Sequence, residues 1–360
     1  VSKQYTSAII GVGAAKGSGG VKGGGHQIGY LHAQTYQSTP RTRLIAAADI
    51  NPRNLDAFQR EFDVSLGFED AVSMLREVRP DIVSICTYVG LHRSMIEQCA
   101  QVGVKGIFCE KPFLATPREL IEVERIARET GVRIVVGHFR RYLPVFQRAR
   151  QLYAGGAVGE PMLCVAGIEG WDLSEWGSHW LDMFRHFHED RPINWVLSQA
   201  RVRDARGYGH AMEDHAVAYF EFDGGGKGLL DGGHSINGPW SISLIGTEGA
   251  IRIQGQEHLH VDTASGRKTE NLEQEDQVIT AWRRIVDELA NWIEGGPEPL
   301  VGLPNILKSA ELNLACYLSA IRGDRIDLPL AGQDTSDITE WPVEILARRA
   351  AQGQSGETKG

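Results

Sequence analysis

Nowhere in its 360 residues does this chain run to 18 apolar residues in succession. A helix that spans a membrane needs about 20, so none is expected. The opening stretch, Val1 to Ser7, is polar and holds no apolar signal core. Cysteine is scarce and scattered: Cys86, Cys99, Cys109, Cys164 and Cys316 form no C-x-x-C pair. Neither a zinc site nor a disulfide framework is built that way, and a reduced cytoplasmic compartment is the expectation. Positive charge is also in deficit. A net charge of −9 argues against nucleic acid or an anionic membrane as partner.

Glycine, by contrast, is abundant at 42 residues, with a dense cluster between Gly11 and Gly29. Ala8-Ile9-Ile10-Gly11-Val12-Gly13 is a short apolar run ending in Gly-x-Gly, the start of a dinucleotide fingerprint. The first glycine permits a tight turn, and the second lets backbone N–H groups approach a pyrophosphate. The next strand, Leu44 to Ala48, ends in Asp49, placed to accept ribose hydroxyls. Such an acid lies about 20 residues beyond the fingerprint. Counting back from Asp49 reaches Gly29 as the third glycine, with 14–28 as an inserted loop. That loop reads as a flexible segment, or as a lid with Lys16, Lys22 and His26 as contacts. A carboxylate at Asp49 repels a 2′-phosphate, which favours NAD over NADP, although Arg53 stands close enough to soften the preference.

At this length the chain accommodates two domains. Ile82 to Cys86, Gly106 to Cys109 and Arg133 to Val136 read as buried strands separated by helical patterns, hence a parallel doubly wound sheet. One helix opens at His92. Another is announced by a capping box at Thr116-Pro117-Arg118-Glu119. Glu110-Lys111-Pro112 then falls just past the carboxyl end of a strand, the edge where open α/β sheets bind ligands. After Gly137 the pattern changes. Phe139 to Tyr153 reads as one helix. Short strands follow at Met162–Ile168, Gln199–Asp204, His215–Phe222, Gly228–Gly232, Ile242–Ile245, Ala250–Ile253 and Leu259–Asp262. Helices are expected at Gln277–Ile293 and Asn305–Ile321, with a frayed polar tail after Ala351.

The densest chemistry lies between Trp171 and His186. A helix starting near Gly177, capped by Ser178 or a neighbour, puts His179, Asp182 and His186 on one stripe. Glu175 precedes it. A histidine beside a carboxylate is a general acid/base pair suited to neutral pH. Asp182 and His186 read as structural, with Asp182 also carried as a substrate contact. The spacings within His186/His188 and His210/His215 are not those of a helical metal site, so no metal is expected.

These motifs together resemble the Gfo/Idh/MocA oxidoreductases (glucose-fructose oxidoreductase, inositol dehydrogenase and relatives) over residues 7–335. The segments that carry the resemblance are Gly11/Gly13, Asp49, Thr87 to His92, Glu110 to Pro112, His138/Arg140/Arg141 and Glu175 to Asp182. Three features depart from the family pattern: Tyr88 replaces a proline, Glu175 replaces an aspartate, and the 14–28 insertion is extra. The resemblance implies a Rossmann domain at 1–137 and a substrate-binding, oligomerising domain at 138–335 on a large, mostly antiparallel open sheet. A C-terminal segment, 336–360, follows. It implies NAD, with NADP the alternative, held by Gly11, Val12, Gly13, Gly29, Asp49, Arg53, Thr87, His92, Glu110 and Lys111. Lys111 and His179 become a catalytic pair oriented by Glu175, and Arg141, Tyr142, Trp171 and Asp182 become substrate contacts. The implied activity is hydride transfer between nicotinamide and a secondary hydroxyl of a sugar, inositol or polyol, by a homodimer or homotetramer. Two rivals stand beside it: glycoside cleavage through transient sugar oxidation, and a non-catalytic NAD(P)/sugar sensor.

Overall fold

In a computed structural model the described residues are 3–14, 27–169, 172–202, 213–233 and 241–357. They fold into two compact units. The first begins with β1 (Tyr5–Ile10), α1 (Ile28–Ser38), β2 (Thr42–Ala48) and α2 (Pro52–Phe62). It continues with β3 (Leu66–Phe68), α3 (Ala71–Val78), β4 (Ile82–Ile85), α4 (Val89–Gln101), β5 (Gly106–Cys109), α5 (Pro117–Thr130) and β6 (Arg133–Val136). The strands form one sheet in the order β3-β2-β1-β4-β5-β6, all parallel. β4 and β5 are buried at every position, as expected of strands covered on both faces. The order reverses between β1 and β4, where a crevice opens at the carboxyl edge.

This unit is not contiguous in sequence. Val278–Ile306 packs on it, whereas the sequence reading gives those residues to the second domain. The reason is visible at Trp282, which stacks on Phe108 of β5 at 5.0 Å, and at Val301, whose carbonyl accepts from Val136 N. The helix expected at His92 starts three residues earlier, at Val89.

The second unit holds a short 3₁₀ turn at Phe139–Tyr142 and then α6 (Pro144–Ala154), not one continuous helix. Pro144 occupies the first turn of α6, where its missing N–H costs nothing. Next come β7 (Pro161–Glu169), α7 (Gly177–Phe187), β8 (Ile193–Arg201), β9 (His215–Phe222), β10 (Lys227–Gly233), β11 (Ser241–Gly246), β12 (Gly249–Gln254), β13 (His258–Thr263) and β14 (Gly266–Asn271). After α8 (Gln277–Ile293) come α9 (Leu303–Arg322), β15 (Ile326–Asp327) and α10 (Pro342–Glu357). The helix α10 carries the chain past Ala351, where a frayed tail is expected from sequence.

Nine strands make an open sheet, β14-β13-β12-β11-β7-β10-β9-β8-β15, antiparallel except for the β7–β10 pair. β9 alternates strictly between buried and half-buried residues, so one face of the sheet is covered. α7 packs against β10 on that covered face. No helix among the described residues is long and apolar enough to cross a membrane.

Candidate active site

The candidate residues are divided between the two units. In the first, Gly11 and Gly13 both adopt positive φ (+82° and +67°), which only glycine reaches without strain. A Cβ on Gly11 would lie 2.9 Å from the Cys86 carbonyl oxygen. Gly29 is the second residue of α1, and a Cβ there would lie 2.7 Å from the Val12 carbonyl oxygen and 2.8 Å from its Cα. The counted third glycine therefore sits where the helix and the glycine turn after β1 approach too closely for any side chain. Asp49, past the end of β2, accepts hydrogen bonds from Gly13 N (2.9 Å) and Asn51 N (2.8 Å). It thereby ties the glycine turn to the acid that follows the next strand.

A cavity of about 460 Å³ opens there, lined by Gly11, Gly13 and Asp49 together with Thr87 and Tyr88 beyond β4. Asn51, Asn54, Glu69 and Asp70 also line it, and sequence reasoning missed these four. The only signal for them is positional, since Asn51 and Asp70 are the N-caps of α2 and α3. The Ser73 hydroxyl and amide hold the Asp70 carboxyl below the usual range, so it stays charged. Three carboxylates thus surround this cavity. They suit ribose hydroxyls and repel a 2′-phosphate, so the residues present fit NAD. Arg53 is exposed and is not among the residues that line the cavity.

Two further cofactor candidates are structural. His92 is buried, with Nδ1 2.9 Å from the Phe113 carbonyl and Nε2 2.9 Å from the Thr87 carbonyl. It fastens the loop after β4 to the segment after β5. Glu110 is also buried. Its Oε1 meets His32 Nε2 at 3.1 Å, His32 Nδ1 meets Ser84 Oγ at 2.8 Å, and Ser84 Oγ meets Tyr36 OH at 2.6 Å. Its Oε2 accepts from Lys111 N at 3.3 Å. The glutamate therefore anchors the backbone of Lys111 to α1 and β4 and is not itself a wall of the cavity. Lys111 stands half-buried past β5, and its peptide bond to Pro112 is cis. Strand order puts it on the same sheet edge as Asp49, three strand spacings away, about 14 Å.

In the second unit all eleven residues of α7 are buried, including Ser178, His179, Asp182, Arg185 and His186. Buried polar groups need partners. Arg141 supplies the largest set. Its Nε and Nη2 each bond an Asp182 carboxylate oxygen at 2.8 Å, while Nη1 and Nη2 reach Asp190 at 2.9 and 2.8 Å. Ser309 Oγ donates to Asp182 Oδ1 at 2.7 Å. Burial alone would lower the Arg141 pKa, but the two carboxylates outweigh it and raise it. Arg141 and Asp182 are 0% and 1% exposed and bound to each other, so they are framework and not substrate contacts. Burial pushes His186 down to about 3 and His188 down to about 4, leaving both neutral.

The start of α7 is held differently from the expectation. Ser178 is no cap; its hydroxyl donates to the Glu175 carbonyl. The helix has no side-chain cap; Asp172 instead orders the turn before it, its Oδ1 accepting from Glu175 N (2.5 Å) and Trp176 N (3.1 Å). That turn delivers Glu175 and then His179, whose amide donates to the Trp176 carbonyl at 3.1 Å. Tyr142 closes the 3₁₀ turn and is buried. Trp171, Lys16, Lys22, His26 and His210 lie outside the described residues.

Comparison with known proteins places both units. Residues 8–138 match an oxidoreductase family with an NAD-binding Rossmann fold, GFO_IDH_MocA, and residues 169–252 match the GFO/IDH/MocA C-terminal domain. The chain is 28% identical over 264 residues to the NAD(+)-dependent scyllo-inositol 2-dehydrogenase of Bacillus subtilis (strain 168), covering 67% of this chain and 75% of that one. It is 24% identical over 348 residues to D-apiose dehydrogenase of Paraburkholderia graminis, covering 88% and 91%. A solved structure of levoglucosan dehydrogenase with NADH and levoglucosan shares the fold, with a TM-score of 0.76 at 18% identity over 91% of this chain and all of that one.

Proposed function

The chain belongs to the GFO/IDH/MocA oxidoreductases, an NAD-binding family, and from that premise we propose that it oxidises a secondary hydroxyl of a sugar, inositol or related polyol. Bound NAD supplies the hydride acceptor. His179 takes the hydroxyl proton, so the alcohol carbon becomes a carbonyl as its hydride leaves. Lys111 hydrogen-bonds the same oxygen and stabilises its developing charge. Glu175 orients His179, and Tyr142 and Trp171 are substrate contacts. The observation that carries the reading is one sheet edge holding both the acid-lined NAD cavity and Lys111, with Glu110 bonded to the lysine's own amide.

The oligomer is a homodimer or homotetramer formed through the uncovered sheet face. Val165, Leu229, Tyr219 and Leu197 stand directly opposite one another across β7, β10, β9 and β8, an apolar row with Leu197 46% exposed. All five cysteines are free thiols, which suits a cytoplasmic setting.

A panel of sugars, inositols and glycosides, followed by absorbance of reduced nicotinamide, tests the reaction. The expected result is reduction of NAD by at least one polyol, with kcat/KM at least about tenfold above that with NADP. Release of an aglycone without net reduction would place the chemistry with transient oxidation. Binding of NAD and sugar without any hydride transfer would leave a sensor.

A further inference from the structure

Lys111 stands at the end of a row of polar side chains that begins inside the first unit. Tyr36, Ser84, His32 and Glu110 are all buried. Tyr36 OH meets Ser84 Oγ at 2.6 Å, Ser84 Oγ meets His32 Nδ1 at 2.8 Å, and His32 Nε2 meets Glu110 Oε1 at 3.1 Å. The last link runs from Lys111 N to Glu110 Oε2 at 3.3 Å. Donors and acceptors pair in one direction along this row. Burial raises the pKa of Tyr36, so its hydroxyl keeps the proton and donates to Ser84. Ser84 then donates to His32 Nδ1, and Nε2 carries the hydrogen that Glu110 accepts. The reverse sense would leave the tyrosine proton with no acceptor among the described residues, a costly loss for a buried donor. Packing fixes the two members nearest the lysine. The His32 ring makes edge contacts with Phe108 and Trp282, at centroid distances of 4.5 and 4.6 Å. A Cβ on Gly137 would lie 2.7 Å from Glu110 Oε1, so glycine there leaves the carboxylate its space.

We propose that His32 is a positioning residue: it grips one oxygen of Glu110, so that the other holds the Lys111 amide and sets the lysine for the reacting hydroxyl. A carboxylate held at Oε1 presents Oε2 to the next amide in one pose. Without the imidazole, Oε1 is a buried acceptor that must seek another donor, and the pose is lost. Neither His32 nor Glu110 lines the NAD cavity, so the effect reaches the chemistry through Lys111 and spares the cofactor.

The effect on turnover rests on Lys111 holding the reacting oxygen, so two of the readouts do not depend on turnover. In the parent, the ¹⁵N shifts of His32 should show the hydrogen on Nε2 and not on Nδ1, a measurement that needs no variant to fold. His32→Asn keeps a polar atom for Ser84 but is too short for Glu110, whereas His32→Gln reaches Glu110 with an amide donor. Amide exchange at Lys111 should quicken about tenfold in His32→Asn and return toward the parent's in His32→Gln. On a polyol that the parent oxidises, kcat should fall about tenfold in His32→Asn and recover to within about twofold in His32→Gln, with NAD affinity close to the parent's in both. Tyr36→Phe removes the far end of the row and leaves Glu110 gripped, so it should lower the melting temperature and keep kcat. Hydrogen on Nδ1 in place of Nε2 overturns the grip, as does unchanged Lys111 exchange in His32→Asn. A loss of kcat in Tyr36→Phe as large as in His32→Asn overturns positioning in favour of general destabilisation. If no polyol is turned over at all, the reading of the reaction fails, and the shifts and the exchange still decide the grip.

Discussion

Arg141 and Glu213 are both buried ionisable side chains in the second unit, held by different kinds of partner. Around the second half of α7, Arg141 meets Asp182 and Asp190 in a cluster of opposite charges with its hydrogen bonds made. Elsewhere in the same unit, buried Glu213 accepts from Tyr317 OH on one carboxylate oxygen, with the other unmatched among the described residues. Burial acts on both clusters, and the partner decides the outcome. Burial works against the charge on Asp190, yet the hydrogen bonds and charge of Arg141 hold its carboxyl below the usual range. For Glu213 burial and the neighbouring charge act together, and the group keeps its proton. One side chain is held as a charge by opposite charges, and the other keeps its proton.

The pH dependence of stability follows with opposite signs. A carboxyl whose folded pKa is depressed, as for Asp190, contributes stability above its unfolded pKa and loses it as pH falls through the folded value. Glu213 loses its proton in the ordinary carboxylate range when unfolded but near 8 when folded. Between those values the folded state binds more protons, so stability falls as pH rises and levels off above about 8.

Breaking the Arg141 cluster should have the largest effect. Asp182→Ala leaves the Arg141 guanidinium buried with half its partners gone, and should cost about 3–5 kcal/mol in denaturant unfolding. A loss within the noise of a surface substitution would show that the cluster bears no load. Next in size, Glu213→Gln should remove the downward slope of stability between the carboxylate range and about 8, leaving the variant more stable than the parent at alkaline pH. An unchanged slope from thermal melts across that range would erase the contrast between the two clusters. Asp190 is 26% exposed, so Asp190→Asn should cost only about 1 kcal/mol at neutral pH and should flatten the acid limb.

Residues differ in how much of this is legible from sequence, and the difference has a physical cause. Backbone geometry is written in residue type. Gly-x-Gly, Asp49 and a spacing of about 20 residues point to Gly29, and a Cβ there would strike the Val12 backbone. Buried parallel strands are unbroken apolar runs, so the bounds read for Arg133 to Val136 coincide with β6. Partner identity is not written locally. His92, Glu110, Arg141 and Asp182 all have the chemistry of a site. The groups that engage them lie far off in sequence, with 21 residues from His92 to Phe113, 78 from Glu110 to His32, and 41 from Arg141 to Asp182. β14, with the sequence GRKTEN, escapes notice because it is the last strand of the open sheet, where charged residues keep an edge from pairing further. The return of Val278–Ile306 to the first unit depends on contacts such as Trp282 on Phe108, which no spacing announces.

The proposed reaction has His179 carry the hydroxyl proton, and His179→Ala tests that most directly. On a polyol that the parent oxidises, kcat should fall about 10²-fold or more, while NAD affinity, read by quenching of tryptophan fluorescence, stays close to the parent's. Turnover near the parent's in His179→Ala would contradict the account.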